Sequence, residues 1–193
     1  LTADLRESLL ITFRALERAP DVRAVVLTGA GTGFCSGQAL DDRRSLPEPG
    51  ADVGDAVVRR YNPLIATMIA FEKPLVAAIN GVTAGAGLGL ALACDFRIVA
   101  EDASFTTAFV KIGLACDAGV SLLLPHLVGY APALELALTG ERFDAARADA
   151  LGLVTRLVPP EFVAGEADAY ARQFVTGPAS LALVKREFVR NGL

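Results

Sequence analysis

Leu5, Leu9, Leu10, Phe13 and Leu16 recur at three- and four-residue spacing, which predicts an amphipathic helix over residues 3–18, stopped by Pro20 and Asp21. The period then changes. Residues 23–28 (Arg-Ala-Val-Val-Leu-Thr) read as a short apolar strand, and the Gly-Ala-Gly-Thr-Gly of residues 29–33 reads as a loop. Residues 41–54 mix Asp, Arg, Pro and Gly in a further loop. A helix is expected over about 55–72, with Val57, Val58, Tyr61, Leu64, Ile65, Met68 and Ile69 on its apolar face. Lys73-Pro74 ends it, and residues 75–80 read as a buried strand.

The alternation continues to the end of the chain. Gly87 to Cys94 reads as a tightly packed helix, followed by strands at 96–100 and 104–106. Helices fill much of 118–150, a strand takes 153–158, and helices are expected at about 161–175 and 179–190. Strands alternating with helices indicate an α/β fold, and 193 residues suit one domain with a sizeable core.

Composition narrows the partners. Hydrophobic residues at 53% and charged residues at 21% describe a globular chain rather than a disordered one. A net charge of −4 with no basic run excludes nucleic acid as the main partner. Pro74 to Cys94 carries no charge and has the length to span a bilayer. Asn80-Gly81 interrupts it, however, and its second half is mostly Gly and Ala, so it reads as a strand, a turn and a buried helix outside any membrane. Cys35, Cys94 and Cys116 cannot all pair and form no C-x-x-C, and His126 is the single histidine, so a zinc site has few ligands to draw on. A reducing, cytoplasmic setting fits.

Two glycine-rich segments and one acid carry candidate chemistry. Residues 29–33 follow a strand, but a dinucleotide fingerprint needs glycine where Phe34 stands, and no Gly-Lys-Ser/Thr exists for a phosphate loop. Gly81-Val82-Thr83-Ala84-Gly85-Ala86-Gly87-Leu88-Gly89 also follows a strand. It would expose backbone N–H groups at a helix start, which suits a developing oxyanion, or it would serve helix packing alone. Asp117 is the only acid between Asp102 and Glu135. In apolar company its carboxyl would titrate high and act as a general acid/base. Alternatively it caps the helix that begins near Ala118.

The order of several motifs adds to this reading: Phe34-Cys35-Ser36-Gly37-Gln38-Ala39-Leu40, Lys73-Pro74 through Gly81, Ala91-Leu92-Ala93-Cys94-Asp95, Ile112-Gly113-Leu114, Leu138-Thr139-Gly140 and Ala148 through Val154. Together they closely resemble the enoyl-CoA hydratase/isomerase (crotonase) superfamily across essentially the whole chain. The resemblance implies a crotonase-like spiral of ββα units with surrounding helices. It also implies one domain over 1–193, without the N-terminal strand hairpin and C-terminal helices that members usually carry. It implies an acyl-CoA substrate, no metal or cofactor beyond the CoA of that substrate, and a homotrimer or hexamer.

Matched motif by motif, the resemblance places the two oxyanion amides at Gln38 and Ala86, with Gly37, Leu40, Gly85, Gly87 and Phe109 against the substrate. The two glutamates that hydratases use would fall at Gly89 and Phe109, so both acids are missing. Asp117 falls where phenylacetate-degradation isomerases of the superfamily carry an acid. The implied activity is an acyl-CoA isomerase that moves a double bond from the 3,4 to the 2,3 position, or converts 1,2-epoxyphenylacetyl-CoA to an oxepin-CoA. A hydratase, an aryl-CoA dehalogenase-type enzyme and a non-catalytic CoA-binding protein are the alternatives. Arg43 and Arg44 would meet CoA phosphates or lie in a solvated loop.

Overall fold

The computed structural model describes residues 1–39, 53–178 and 180–192. Helix α1 (Ala3–Arg18) starts where the sequence supplies a cap: the Thr2 hydroxyl accepts the Leu5 amide at 3.2 Å. Its buried face differs from the expected stripe. Leu5 is exposed, whereas Arg6 and Phe13 are buried.

Strands β1 (Val25–Thr28) and β2 (Gly33–Cys35) follow, then helices α2 (Val53–Arg60) and α3 (Asn62–Ala70). The alternation repeats with β3 (Leu75–Ile79), β4 (Val82–Ala84) and α4 (Ala86–Ala93). It repeats again with β5 (Phe96–Ala100), β6 (Ser104–Thr106), a 3-10 turn at Phe109–Ile112, α5 (Val120–Val128) and α6 (Tyr130–Thr139). The last part holds β7 (Phe143–Asp144), α7 (Ala145–Ala150), β8 (Arg156–Val158), α8 (Val163–Arg172) and α9 (Ser180–Gly192).

Each repeating unit gives its first strand to one sheet and its second to another. One sheet runs β1-β3-β5-β8, all parallel; the other runs β2-β4-β6-β7, antiparallel only at β6–β7. The chain therefore advances as the expected spiral of ββα units, one strand per sheet per turn. β3 lies inside its sheet, with Val76 beside both Val26 and Phe96. Every residue of β3 is buried, which is what its unbroken Leu-Val-Ala-Ala-Ile run requires of a parallel strand covered on both faces. Helix α8 lies against β1, β3 and β5, and α4 lies against β2, β4, α3 and α5.

Several expectations change. β2, β4 and β7 were not foreseen: β2 and β4 are three residues long and β7 two, and β2 and β4 border glycines that read as turns. The helix expected over 55–72 is two helices, because Tyr61 sits at the junction and Pro63 starts the second. The strand expected at 153–158 forms only from Arg156. Residues 53 and 54 of the loop expected over 41–54 open α2, and the rest of that loop lies outside the described residues. The uncharged Pro74–Cys94 stretch divides into β3, β4 and α4, and among the described residues no helix is long and apolar enough to cross a membrane.

Candidate active site

The start of α4 is built from the Gly-Ala-Gly of residues 85–87. Gly85 takes φ +52° as the cap, and its amide donates to Thr106 O on β6 at 3.1 Å. The first bond inside the helix runs from the Gly89 amide to Gly85 O, so the amides of Ala86, Gly87 and Leu88 precede it. That end carries the positive pole of the helix dipole. The segment after β2 lies directly alongside. A Cβ at Gly37 would stand 3.0 Å from Ala84 O and 3.7 Å from the Ala86 nitrogen, and Gly37 takes φ +98°, which side-chain-bearing residues avoid. Gln38 follows at once, so the structure brings the Gln38 segment beside the Ala86 amide. Gly87 packs against the same segment, where an added Cβ would meet Cys35 O at 2.2 Å.

Phe109 completes that side. Ala108 turns left-handed at φ 61° and starts the 3-10 turn; the Phe109 ring is buried with its tip 4.0 Å from the Cβ position of Gly85.

Asp117 lies on the loop before α5, and it does not cap the helix. The N-cap is Gly119, without a side-chain bond; Asp117 contributes only its carbonyl, which accepts the Val120 amide at 2.9 Å. Its carboxylate is thus left unused by the helix. Two close approaches fix the loop. A Cβ at Gly89 would lie 2.1 Å from Ala118 O, and a Cβ at Gly119 would lie 2.7 Å from Ile65 Cγ2 on α3. The loop is therefore wedged between α4, one turn from Ala86, and α3. Ala118 is buried and takes φ 48°, a left-handed backbone that costs an alanine about 1–2 kcal/mol. Burial raises the Asp117 carboxyl above the ordinary carboxylate range.

Tyr61 faces both parts of the site. Its phenol is buried and donates to Gln38 Oε1 at 2.9 Å, while Arg6 Nη1 donates to the phenol oxygen at 3.0 Å. Burial raises the phenol's pKa; the Arg6 guanidinium opposes this, and the Asp117 carboxylate adds to it. Asp117 thus acts electrostatically on the residue that holds Gln38. Burial, then the Asp117 charge, also pushes the Cys116 thiol up.

Of the residues singled out by sequence, Gly37, Gln38, Gly85, Ala86, Gly87 and Phe109 come together, and Asp117 joins them through Tyr61 and Gly89. Leu40, Arg43 and Arg44 lie outside the described residues. Arg6, Tyr61 and Ala118 were not foreseen as site residues. Arg6 carried a signal, since it shares a helical face with Leu10 and Phe13, and a cation on an apolar stripe needs a partner. Among the described residues no group of three or more His, Cys, Asp or Glu could hold a metal ion.

A family model described as enoyl-CoA hydratase/isomerase matches residues 1–192. The chain is 41% identical over 185 residues to a 1,2-epoxyphenylacetyl-CoA isomerase of Escherichia coli, spanning 95% of this chain and 71% of that protein. It is 34% identical over 189 residues to a 4-chlorobenzoyl coenzyme A dehalogenase of Arthrobacter sp, spanning 97% of this chain and 68% of the other. A crystal structure of an enoyl-CoA hydratase from Bacillus anthracis superposes with a TM-score of 0.89 at 34% identity, covering 96% of this chain and 72% of that one.

Proposed function

The chain belongs to the enoyl-CoA hydratase/isomerase (crotonase) family, and from that premise we propose that it is an acyl-CoA isomerase with Asp117 as its proton shuttle. The observation that carries this reading is the contact at Gly89. A side chain there would begin 2.1 Å from the Ala118 carbonyl oxygen, so the position of one hydratase glutamate is closed by the loop that bears Asp117. The other glutamate position holds the buried Phe109. Among the described residues Asp117 is then the acid left at the site, an arrangement that suits moving a proton within the substrate better than adding water.

In this mechanism the Gln38 and Ala86 amides donate hydrogen bonds to the thioester carbonyl oxygen of the substrate. Each donor aimed at a developing oxyanion contributes about 2.7–4 kcal/mol. Asp117, as carboxylate, removes a proton from C2 of a 3-enoyl-CoA, and the electron pair spreads into a dienolate whose charge rests on the held oxygen. The protonated Asp117 then returns the proton to C4, which leaves the double bond between C2 and C3. A carboxyl raised by burial is a better base, and such proton transfer contributes roughly 10²–10⁴-fold. The balance closes without an electron acceptor, so CoA enters only as part of the substrate. The ring expansion of 1,2-epoxyphenylacetyl-CoA to an oxepin-CoA would use the same oxyanion contacts.

The test is a product screen on cis-3-enoyl-CoA, 2-enoyl-CoA and 1,2-epoxyphenylacetyl-CoA with the parent and Asp117→Asn. The expected result is isomerised product from the parent and a loss of at least about 100-fold in the variant. Activity of Asp117→Asn within a few-fold of the parent would remove Asp117 from the mechanism. A water adduct as the main product from 2-enoyl-CoA would make the protein a hydratase instead.

A further inference from the structure

Arg6 and Tyr61 come from separate elements, α1 and the α2–α3 junction, yet they meet beneath the Gln38 segment. Both are 5% exposed, and the Arg6 Cζ lies 4.6 Å from the centre of the Tyr61 ring. The donors can be assigned. A guanidinium only donates, so the phenol oxygen accepts from Arg6 at 3.0 Å, and its single proton points to Gln38 Oε1 at 2.9 Å. A cation bonded to the phenol oxygen strengthens the phenol as a donor to the next group. The chain of bonds thus runs from a buried cation to the side chain of a residue whose backbone amide borders the reaction site.

We propose that Arg6 and Tyr61 are positioning residues that aim the Gln38 amide, Tyr61 directly and Arg6 through Tyr61. The inference rests on the oxyanion reading of Gln38 and Ala86 given above. Its physical basis is the bond itself: Gly37 offers no side chain to hold the segment, an added Cβ there would crowd Ala84 O, and the Tyr61 hydroxyl grips the Gln38 side chain at 2.9 Å. An oxyanion donor works only when it is held in place, and a displacement of about 1 Å costs on the order of 100-fold in rate.

The test reads the carbonyl directly. Infrared difference spectra of a bound acyl-CoA, isotope-labelled at the thioester carbonyl, report how far the site polarises that bond, whichever reaction follows. Tyr61→Phe keeps the ring and removes the hydroxyl. It is expected to move the carbonyl stretch back toward the free value and to lower kcat about tenfold with KM within about twofold. Gln38→Met, which keeps the backbone amide, is expected to do the same, and the double variant to add less than about twofold to the larger single effect. An unchanged carbonyl stretch in Tyr61→Phe overturns the proposal. So does a double variant whose losses multiply, since that means Tyr61 acts by another route, such as core stability. If Tyr61→Phe does not fold, Gln38→Met decides: a reduced carbonyl shift supports the relay and an unreduced one overturns it. A parent protein that shows no carbonyl shift removes the oxyanion reading itself, and the relay with it.

Discussion

Gly89→Ala is the smallest perturbation that tests whether α4 and the Asp117 loop are packed backbone to backbone. The new methyl would begin 2.1 Å from Ala118 O, with the Ala118 carbonyl carbon at 3.1 Å and its Cβ at 3.3 Å, whereas ordinary contact begins near 3.4 Å. None of these three atoms can rotate away. Either α4 or the loop must therefore shift by more than about 1 Å. Overpacking of this kind costs about 1–3 kcal/mol, and for a chain of this size each kcal/mol lowers Tm by about 2–4 °C. Activity should suffer more than stability. The loop carries Asp117 and the helix carries Ala86, so under the proposed mechanism the shift separates the base from the oxyanion donor, and about 1 Å of misplacement costs on the order of 100-fold. The expected result is a Tm lower by about 2–12 °C by differential scanning fluorimetry, with kcat for 3-enoyl-CoA isomerisation down about 100-fold by product chromatography. Gly89→Glu should lose activity at least as severely and gain no hydration of 2-enoyl-CoA. Retention of Tm within about 2 °C and kcat within about threefold in Gly89→Ala would refute the packing argument, because both changes fall below the smallest expected cost.

Two further outcomes follow from other parts of the structure. Asp117→Asn should raise Tm at pH 7: burial raises the Asp117 pKa, so the parent pays for ionising it in the folded state above its ordinary pKa. The sign requires the difference to vanish as pH falls below the unfolded value, about 4; a pH-independent difference would point to another cause. Arg97 lies 7% exposed, with Nε on Leu153 O at 2.6 Å and Nη1 on Cys94 O at 2.7 Å, where it holds the far end of α4 to the chain before β8. Arg97→Met keeps the bulk but strands these buried carbonyls at about 1–3 kcal/mol each. A Tm drop of about 4–24 °C is expected, and a drop below 2 °C would show that the carbonyls find other donors.

The strands of the first sheet were legible because β3 is a continuous apolar run bounded by Lys73-Pro74 and Gly81, with the largely apolar β1 and β5 on either side, whereas the ββα spiral came from the family resemblance. The second sheet was harder to read. Val82-Thr83-Ala84 between Gly81 and Gly85 has the length and flanks of a turn, and only pairing with β2 and β6 makes it a strand. Of the candidate site, the local pattern pointed to Gly85-Ala86-Gly87, where a glycine run opens a helix; Gly37-Gln38 came from the resemblance alone, and its close approach to Ala84 and Ala86 is visible only in the structure. It was less legible where side chains converge from distant elements. Tyr61 read as one more apolar-face residue of a helix; its contact with Gln38 depends on the break before Pro63 and on how α3 packs on α1. Asp117 was ambiguous for a local reason: an Asp directly before an expected helix start at Ala118 resembles a cap, and only the turn through Ala118 moves the cap to Gly119.

That turn is where local energy and function separate. Ala118 at φ 48° is strained by about 1–2 kcal/mol, and Gly would relieve it. Gly would also loosen the unfolded chain, at about 0.4–1 kcal/mol, and remove a buried methyl worth roughly 0.8 kcal/mol. These effects nearly cancel, so Ala118→Gly should leave Tm within about 4 °C of the parent. A strained alanine would then have no stability rationale over glycine, and its reason must lie in what it restricts. Alanine in this conformation has few neighbouring backbone states, whereas glycine has many, so the Asp117 carboxylate just before it is held more narrowly in the parent. The expected result is a kcat for isomerisation lower by about tenfold at nearly unchanged Tm. Equal kcat would mean that the wedge between Gly89 and Ile65 alone fixes Asp117, and that the strain at Ala118 is a by-product of the packing.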